Sequence, residues 1–168
     1  MSEANAQLQG GYADFDFLIG RWKIRHRRLR EILKGSTSWD EFEGFAVDRA
    51  ILGGLGSISE VTLQLASGPL EGMTARLFDP KAGQWRIYWT SGGDGAFTTP
   101  MIGGFAQGRG MFYAHEPFDG RYILSRFLWS DITANSCHWE QAFSADGGKT
   151  WETNWIMDLT RQQGEAPD

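Results

Sequence analysis

The chain has 168 residues, of which 22 are glycine and eight are tryptophan, and 14% of its residues are aromatic. So many aromatic side chains exclude a disordered chain, because disordered segments lack the apolar groups that offset ordering entropy. The net charge of −5 disfavours binding to nucleic acid or to an anionic membrane. The single cysteine, Cys137, excludes an intramolecular disulfide and is compatible with a reducing compartment.

The ends of the chain differ in composition from its middle. Residues 1–11 contain neither the basic nor the apolar region of a signal peptide, and no segment approaches 18 consecutive apolar residues. We therefore expect a soluble, cytoplasmic protein. The polar composition predicts that residues 1–11 and 162–168 are disordered. No linker-like stretch interrupts residues 12–161, which are predicted to form a single domain.

In chain order, the first predicted element is a short helical turn at residues 14–19, capped by Asp14. Residues 22–34 fit a helix about as well as a strand, and we predict a long strand. Beyond them, short apolar and aromatic runs alternate with glycine-rich turns. This pattern is typical of a β-meander or barrel.

Three later segments show the two-residue period of a strand. One face of residues 85–91 is apolar and carries Trp85, Ile87 and Trp89. Residues 122–131 have apolar side chains on both faces, so both are expected to be covered. The face of residues 150–160 predicted to point toward the core carries Trp151, Trp155, Met157 and Leu159. Asn154 falls on the opposite face.

One motif carries a family resemblance. Gly20 and Trp22 form a Gly-x-Trp motif, in which the glycine allows a close crossing and the tryptophan plugs one end of a barrel. With residues 79–85, 126–131 and 144–151, the sequence resembles the DUF1579-type bacterial proteins, on the lipocalin-like side of the calycin superfamily.

The resemblance implies an all-β fold, an antiparallel lipocalin-like (calycin) β-barrel of about 8–10 strands with a short N-terminal helical turn. It implies no reaction and no catalytic residue. In many such barrels a late arginine covers the plug tryptophan. Arg126 is predicted to take this place by a cation–π contact, with an anion anchor inside the cavity as the alternative.

Residues 144–151 also resemble the Asp-box of sialidase-type propellers. A single copy in this chain does not build a propeller, which needs several four-stranded blades. The segment is therefore predicted to be a structural hairpin in which Asp146 accepts hydrogen bonds from backbone N–H groups.

A cavity that binds a small molecule is the first functional hypothesis. If Trp22 points inward, strand alternation places His26 and Arg28 inside, where they would hold an anionic or carbonyl end. The alternative is a solvated strand whose basic residues pair with Glu41 or Glu43. The ligand would be a small hydrophobic or aromatic molecule. The predicted binding residues are Trp22, His26, Arg28, Phe45, Trp89, Tyr113, Arg126, Trp129 and Trp155.

The second hypothesis is a cofactor-free isomerase, lyase or hydratase that uses acid–base catalysis in the same cavity. Its candidate catalytic residues are His26, His138 and Glu140. The last two share one face of a predicted strand and face water if the intervening aromatic side chains fill the core. Glu43 and Glu60 are further carboxylates whose pKa would be raised if they were buried.

No metal ion, haem or nucleotide is predicted. The three histidines lie on three different predicted strands, without the short spacing of metal ligands, and no glycine run precedes a helix that would bind phosphate. A third hypothesis is a homodimer. Its interface would use aromatic residues that are not part of the core, namely Tyr88, Phe112 and Trp139.

Overall fold

A computed structural model describes residues 11–163 of the chain. Within this range ten antiparallel strands form a closed barrel in which each strand pairs with the next and the first pairs with the last. The strands are β1 (Gly20–Leu29), β2 (Trp39–Ile51), β3 (Gly56–Leu65), β4 (Gly68–Asp79), β5 (Gln84–Ser91), β6 (Met101–Ala106), β7 (Arg109–Phe118), β8 (Arg121–Ser130), β9 (Ser136–Ser144) and β10 (Glu152–Arg161). Single 3-10 turns occupy Asp16–Leu18 and Leu52–Gly54. The predicted all-β barrel is confirmed.

Most of the terminal residues for which disorder is predicted, 1–10 and 164–168, lie outside the described range. Among the described residues, no helical segment has the length and apolarity needed to cross a bilayer. The disorder of residues 1–11 and 162–168, and a single domain at residues 12–161, stay predictions.

The entry to the barrel follows the predicted turn and strand, with two corrections. The predicted strand of residues 22–34 ends at Leu29, and residues 32–35 form a turn. The helical turn precedes β1, which begins at Gly20 as a strand and not as a helix. Asp14, however, does not cap the turn, because the turn has no side-chain cap. Its carboxylate instead accepts a hydrogen bond from Trp85 Nε1 at 3.1 Å. The entering segment is thus fastened to β5 across the barrel end.

One end of the barrel is closed by a group of residues that we call the plug: Phe15, Leu18, Trp22 and Arg161. The buried Trp22 donates its indole N–H to the Leu18 carbonyl at 2.7 Å. The Arg161 guanidinium lies 4.4 Å from the centre of the Trp22 ring. Gly20 has a φ of 132°, and a side chain there would collide with Arg161, so this position requires glycine.

Arg161, and not Arg126, therefore covers the plug tryptophan. The Arg126 guanidinium stacks at 4.4 Å on Trp151, on the outer surface of the barrel. Both predicted roles of Arg126 are wrong, because its position in β8 falls on the outward face, opposite the inward Phe127 and Trp129. The β10 strand ends at the plug, which is why its last residue reaches Trp22.

A β-bulge corrects the predicted faces of β10. The register against β9 shifts between Thr153 and Trp155, so one extra residue reverses the alternation. Asn154 is therefore buried rather than outward, and Trp151 lies outside rather than in the core. Trp155 keeps its predicted inward position.

The hairpin between β9 and β10 forms as predicted. Asp146 accepts a hydrogen bond from the Thr150 backbone N–H at 2.9 Å and from the Ser144 hydroxyl at 2.8 Å. Hydrogen bonds from the Thr150 hydroxyl and backbone, followed by that from Ser144, lower the pKa of Asp146 to about 2. This hairpin is a structural feature, and it lies at the end of β10 away from the plug.

Candidate ligand cavity

Above the plug, the barrel encloses a cavity of about 170 Å³. Four tryptophans line it: Trp89, Trp129, Trp139 and Trp155. Aliphatic side chains, among them Ile24, Leu63 and Met157, fill most of the remaining wall. The alternation of β1, β3, β5, β8, β9 and β10 turns these side chains to one surface and brings them together when the sheet closes. The interior is therefore mainly apolar.

The floor of the cavity carries a buried ion pair that was missed at the sequence level. Asp48 on β2 and Ser59 on β3 are register partners, and Arg76 projects from β4 beside them. Arg76 Nη1 donates to Asp48 Oδ1 at 2.9 Å and to Ser59 Oγ at 2.7 Å. Ser59 also donates to Asp48. The two charged side chains are 6% and 3% exposed, so water screens the pair very little.

The ion pair and the burial act in opposite directions on Asp48. Burial raises the pKa of its carboxyl, whereas the Arg76 guanidinium and the Ser59 hydroxyl stabilise the carboxylate. Burial likewise lowers the pKa of Arg76, and Asp48 counteracts that change. Neither charge is favourable at this depth without the other.

His26 lies inside the barrel, as its position in β1 predicts, and is fully buried. Its Nδ1 accepts a hydrogen bond from Trp155 Nε1 at 3.0 Å, and Phe42 stacks on the ring at 4.7 Å. Burial, with a smaller contribution from the charge of Arg28, lowers the pKa of His26 to about 4. The imidazole is therefore neutral near pH 7. With Nδ1 accepting, its hydrogen is on Nε2.

A close approach of the backbone fixes the position of this imidazole. The Gly44 residue of β2 lies against it, and a Cβ added there would be 2.7 Å from His26 Nε2. Any larger residue at position 44 would displace the ring. Because Gly44 has no side chain, the His26 ring fits against the backbone of β2 inside the wall.

Several buried donors of the wall have no acceptor among the described residues. They include Trp129 Nε1, Arg76 Nε and His26 Nε2. Of the Arg76 guanidinium, only Nη1 forms hydrogen bonds within the described range. An unpaired buried donor destabilises a fold by about 1–3 kcal/mol, so each such atom requires an explanation.

Glu116 is the second carboxylate of the cavity wall besides Asp48. It is partly buried, and this burial raises its pKa despite a hydrogen bond with Ser125. Glu43 and Glu60, whose burial the sequence left open, are not buried. Both are exposed on the outer surface, where they lie 3.4 Å from Lys23 Nζ and 3.8 Å from Arg49 Nη1, respectively.

The weakest part of the barrel wall lies beside Trp89. Strands β5 and β6 pair at three positions only, Trp85 to Ile87 on β5. Beyond them, residues 92–100 run along β5, held by a hydrogen bond from Thr98 N to the Trp89 carbonyl at 2.8 Å. Thr98 and Thr99 line the cavity. Few backbone hydrogen bonds close this side of the barrel, so its local stability is expected to be low.

The structure divides the predicted ligand-binding residues into four groups. Those in the cavity wall are His26, Trp89, Trp129 and Trp155. Trp22 lies below the cavity in the plug. Arg28 is exposed at the rim, with its guanidinium 4.7 Å from the Trp155 ring centre. Outside the barrel lie Arg126, Phe45 and Tyr113, which is a correction.

The physical reason for that correction is strand parity. Phe45 pairs in register with the outward Lys23, and Tyr113 pairs with the outward Arg126. Directly opposed residues in a sheet project from the same face. Phe45 and Tyr113 are accordingly 43% and 45% exposed.

His138 and Glu140, the other candidate catalytic residues, lie on the outer face of β9, which corrects a place in the cavity and agrees with the alternative in which they face water. Trp139, between them, points inward and lines the cavity, so alternation turns its neighbours out. His138 contacts Asp158 Oδ1 at 2.7 Å and Glu140 Oε2 at 3.2 Å. Burial alone would lower the pKa of His138, but these carboxylates together raise it.

The same parity removes two of the three residues predicted for a dimer interface. Phe112 and Trp139 are buried in the core, and Tyr88 is half-buried beside Phe97.

Of the basic residues of β1, Lys23 and Arg25 point outward and pair with Glu43 and Glu41, each at 3.4 Å. The solvated-face alternative thus holds for the outward residues of β1, whereas His26 is inside.

Comparison with known proteins places the fold but not the ligand. No protein-family model and no curated protein sequence matches the chain. The solved structure of the S-type phycobiliprotein lyase CPES from Guillardia theta is similar, with a TM-score of 0.59 and 8% sequence identity. The similarity covers 98% of this chain and 100% of that chain. At this identity it shows the fold alone, a lipocalin-like barrel.

Proposed function

We propose that the barrel binds one small aromatic or hydrophobic molecule, with an anionic or carbonyl end, in its cavity. The observation that supports this proposal is a cavity of about 170 Å³ lined by four indoles. An apolar cavity of about 150 Å³ in another protein core stays dry and binds benzene. The cavity thus suits a molecule of about one ring.

The structural comparison supports the proposal only at the level of the fold. A phycobiliprotein lyase shares the barrel, which is in keeping with a functional interior and does not select a ligand. Membership in the DUF1579-type family and a cytoplasmic location stay predictions from the sequence. So does a homodimer.

Binding is favoured over acid–base catalysis by the environment of His26. A catalytic pair would place a histidine and a carboxylate within hydrogen-bond reach inside the cavity. His26 instead accepts a hydrogen bond from Trp155. Of the two carboxylates of the wall, Asp48 is paired with Arg76, and neither Asp48 nor Glu116 forms a hydrogen bond with His26 among the described residues.

Tryptophan emission and thermal unfolding test the proposal directly. We expect toluene, indole, acetophenone or benzoate to change the emission of the cavity indoles and to raise the melting temperature. A ligand at 100 times its Kd stabilises the native state by about 2.7 kcal/mol. If no member of this panel changes either signal, the proposal is wrong.

A cavity-filling variant provides the matched control. Ala46 is buried in the cavity wall, whereas Ala50 on the same strand is exposed. Ala46→Leu is expected to abolish binding by occupying the space, and Ala50→Leu to leave it unchanged. Equal binding by both variants would place the ligand outside the cavity.

A further inference from the structure

Two unpaired hydrogen-bond donors lie at the floor of the cavity. Arg76 Nε and Trp129 Nε1 have no acceptor among the described residues. Both side chains are less than one-tenth exposed and both line the cavity. Both also pack on Phe15, with Arg76 Cζ 5.1 Å and the Trp129 ring 6.2 Å from its ring centre. Two side chains of the floor therefore carry buried donor atoms that have no acceptor among the described residues.

The charges of the wall determine which kind of acceptor fits. The positive charge of Arg76 is already compensated by Asp48 at 2.9 Å. His26 is neutral near pH 7, and Glu116 adds a second acidic group to the wall. Arg28 is exposed at the rim. A carboxylate brought to the floor would therefore be a buried charge without a partner, which is strongly unfavourable.

We infer that the cavity selects a neutral aromatic carbonyl compound, such as an aryl ketone, aldehyde or ester, whose oxygen accepts hydrogen bonds from Arg76 and Trp129. The inference rests on the proposed binding function and narrows its ligand class. It also moves the polar anchor from His26 and Arg28 to the floor. The ring of the ligand would lie among Trp89, Trp139 and Trp155. Solvent does not reach the two donor atoms in the empty cavity, so the ligand oxygen contacts them only when neighbouring side chains move.

Three ligands of similar size test the inference on the wild-type protein. Acetophenone carries the carbonyl, ethylbenzene lacks an acceptor, and benzoate is an anion at pH 7.5. By calorimetric titration we expect acetophenone to bind roughly three- to tenfold more tightly than ethylbenzene, as a net hydrogen bond implies. Benzoate should bind most weakly of the three. Equal affinity for acetophenone and ethylbenzene, or tightest binding of benzoate, would overturn the inference.

A matched pair of variants assigns the donor. Trp129→Phe removes the unpaired indole N–H, whereas Trp89→Phe alters a cavity indole that is not among the unpaired donors. Trp129→Phe is expected to reduce the preference for acetophenone over ethylbenzene. Trp89→Phe should change both affinities by the same factor. A preference that survives Trp129→Phe unchanged excludes Trp129 as an anchor.

Indole N–H resonances report the same contact without relying on a variant that folds. Acetophenone should move the Trp129 Nε1–H signal downfield, and ethylbenzene should not, because only a carbonyl accepts the bond. If all three ligands bind without this selectivity, the cavity function stands and the inference fails. If none of the three ligands binds, and indole and toluene also fail, the proposed function itself fails.

Discussion

The plug and the cavity floor use the same two chemical groups in opposite ways. In the plug, all three guanidinium nitrogens of Arg161 donate to backbone carbonyls, those of Ala134, Ile19 and Phe17, at 2.9, 2.6 and 2.6 Å. The Trp22 indole is also paired. At the floor, the indole N–H of Trp129 and the Nε of Arg76 donate to no described residue.

The paired donors of the plug thus contribute to stability, whereas the unpaired donors of the floor belong to the proposed binding site. Every indole or guanidinium bond made in the plug replaces a bond to water and fixes the entering segment against β1 and β10. The floor retains unpaired donors at a cost in stability, which is typical of sites kept for a ligand. Four measurements follow, in order of expected effect, and each would weaken or sharpen this contrast.

Removing Asp48 should have the largest effect. Asp48→Leu leaves the buried Arg76 without its carboxylate, which is expected to destabilise the fold by about 3–5 kcal/mol in urea unfolding. Asp48→Leu with Arg76→Met should recover a large part of this loss, because both charges are then absent. As a control, Glu60→Leu breaks an exposed pair and should cost less than about 1 kcal/mol. Similar losses for Asp48→Leu and Glu60→Leu would show that the floor pair is unimportant.

Acidification should reveal the burial of His26. Its pKa is about 4 in the folded protein and near 6.5 in the unfolded chain, so the unfolded state binds more protons between these values. The contribution is fully present above pH 6.5 and is lost as the pH falls through 4, by up to about 3 kcal/mol. In His26→Gln, stability should vary less over this range.

His138 provides the control of opposite sign. Its pKa is raised in the folded protein, so its contribution is present below pH 6.5 and is lost as the pH rises through the folded pKa. His138→Gln should therefore lower the free energy of unfolding at acidic pH. His26→Gln should instead make the free energy of unfolding fall less on acidification than it does in the wild type. Identical pH profiles for wild type and His26→Gln would contradict the neutral, buried imidazole.

Arg161 and Arg126 separate the carbonyl bonds of the plug from cation–π stacking. Each guanidinium lies 4.4 Å from the centre of a tryptophan ring. Arg161→Ala additionally removes three hydrogen bonds to carbonyls and should destabilise the protein by about 2–3 kcal/mol. Arg126→Ala should cost less than about 1 kcal/mol. Comparable values in thermal or urea unfolding would mean that stacking, and not carbonyl pairing, holds the plug.

The smallest expected difference is between two tryptophans. Trp22→Phe removes a paired indole N–H and leaves the Leu18 carbonyl without its donor, whereas Trp129→Phe removes an unpaired one. Both side chains are almost fully buried, so the lost ring volume is similar. Trp22→Phe should be the more destabilising by about 1–2 kcal/mol. The reverse order would indicate that Trp129 has an acceptor in solution.

Local patterns were sufficient for most of the fold. The Gly-x-Trp of Gly20 and Trp22, the alternation in β5 and the turn chemistry around Asp146 depend on neighbours in the chain, and each forms as predicted. The bulge near Thr153 was missed, because one extra residue leaves no distinct signature in a short aromatic strand. It alone reversed the positions of Asn154 and Trp151.

The site was less predictable because it is assembled from many strands. His26 and the indoles of the wall follow from parity, once Trp22 is taken as inward. Counting by two from Trp22 and its partner Ala46 would also have placed Asp48 inside. That Asp48 meets Arg76, 28 residues later, depends on the register of β2, β3 and β4.

The sequence by itself determined a closed, tryptophan-lined barrel, because glycine-rich turns and two-residue alternation act over short distances. The tertiary structure alone decided which arginine covers the plug, which carboxylate is buried, and which donors are left unpaired. Those outcomes depend on strand register and barrel closure, which bring together side chains that are far apart in the chain. Local sequence patterns thus determine the strands of the barrel, whereas the contacts of its binding site form only when the barrel closes.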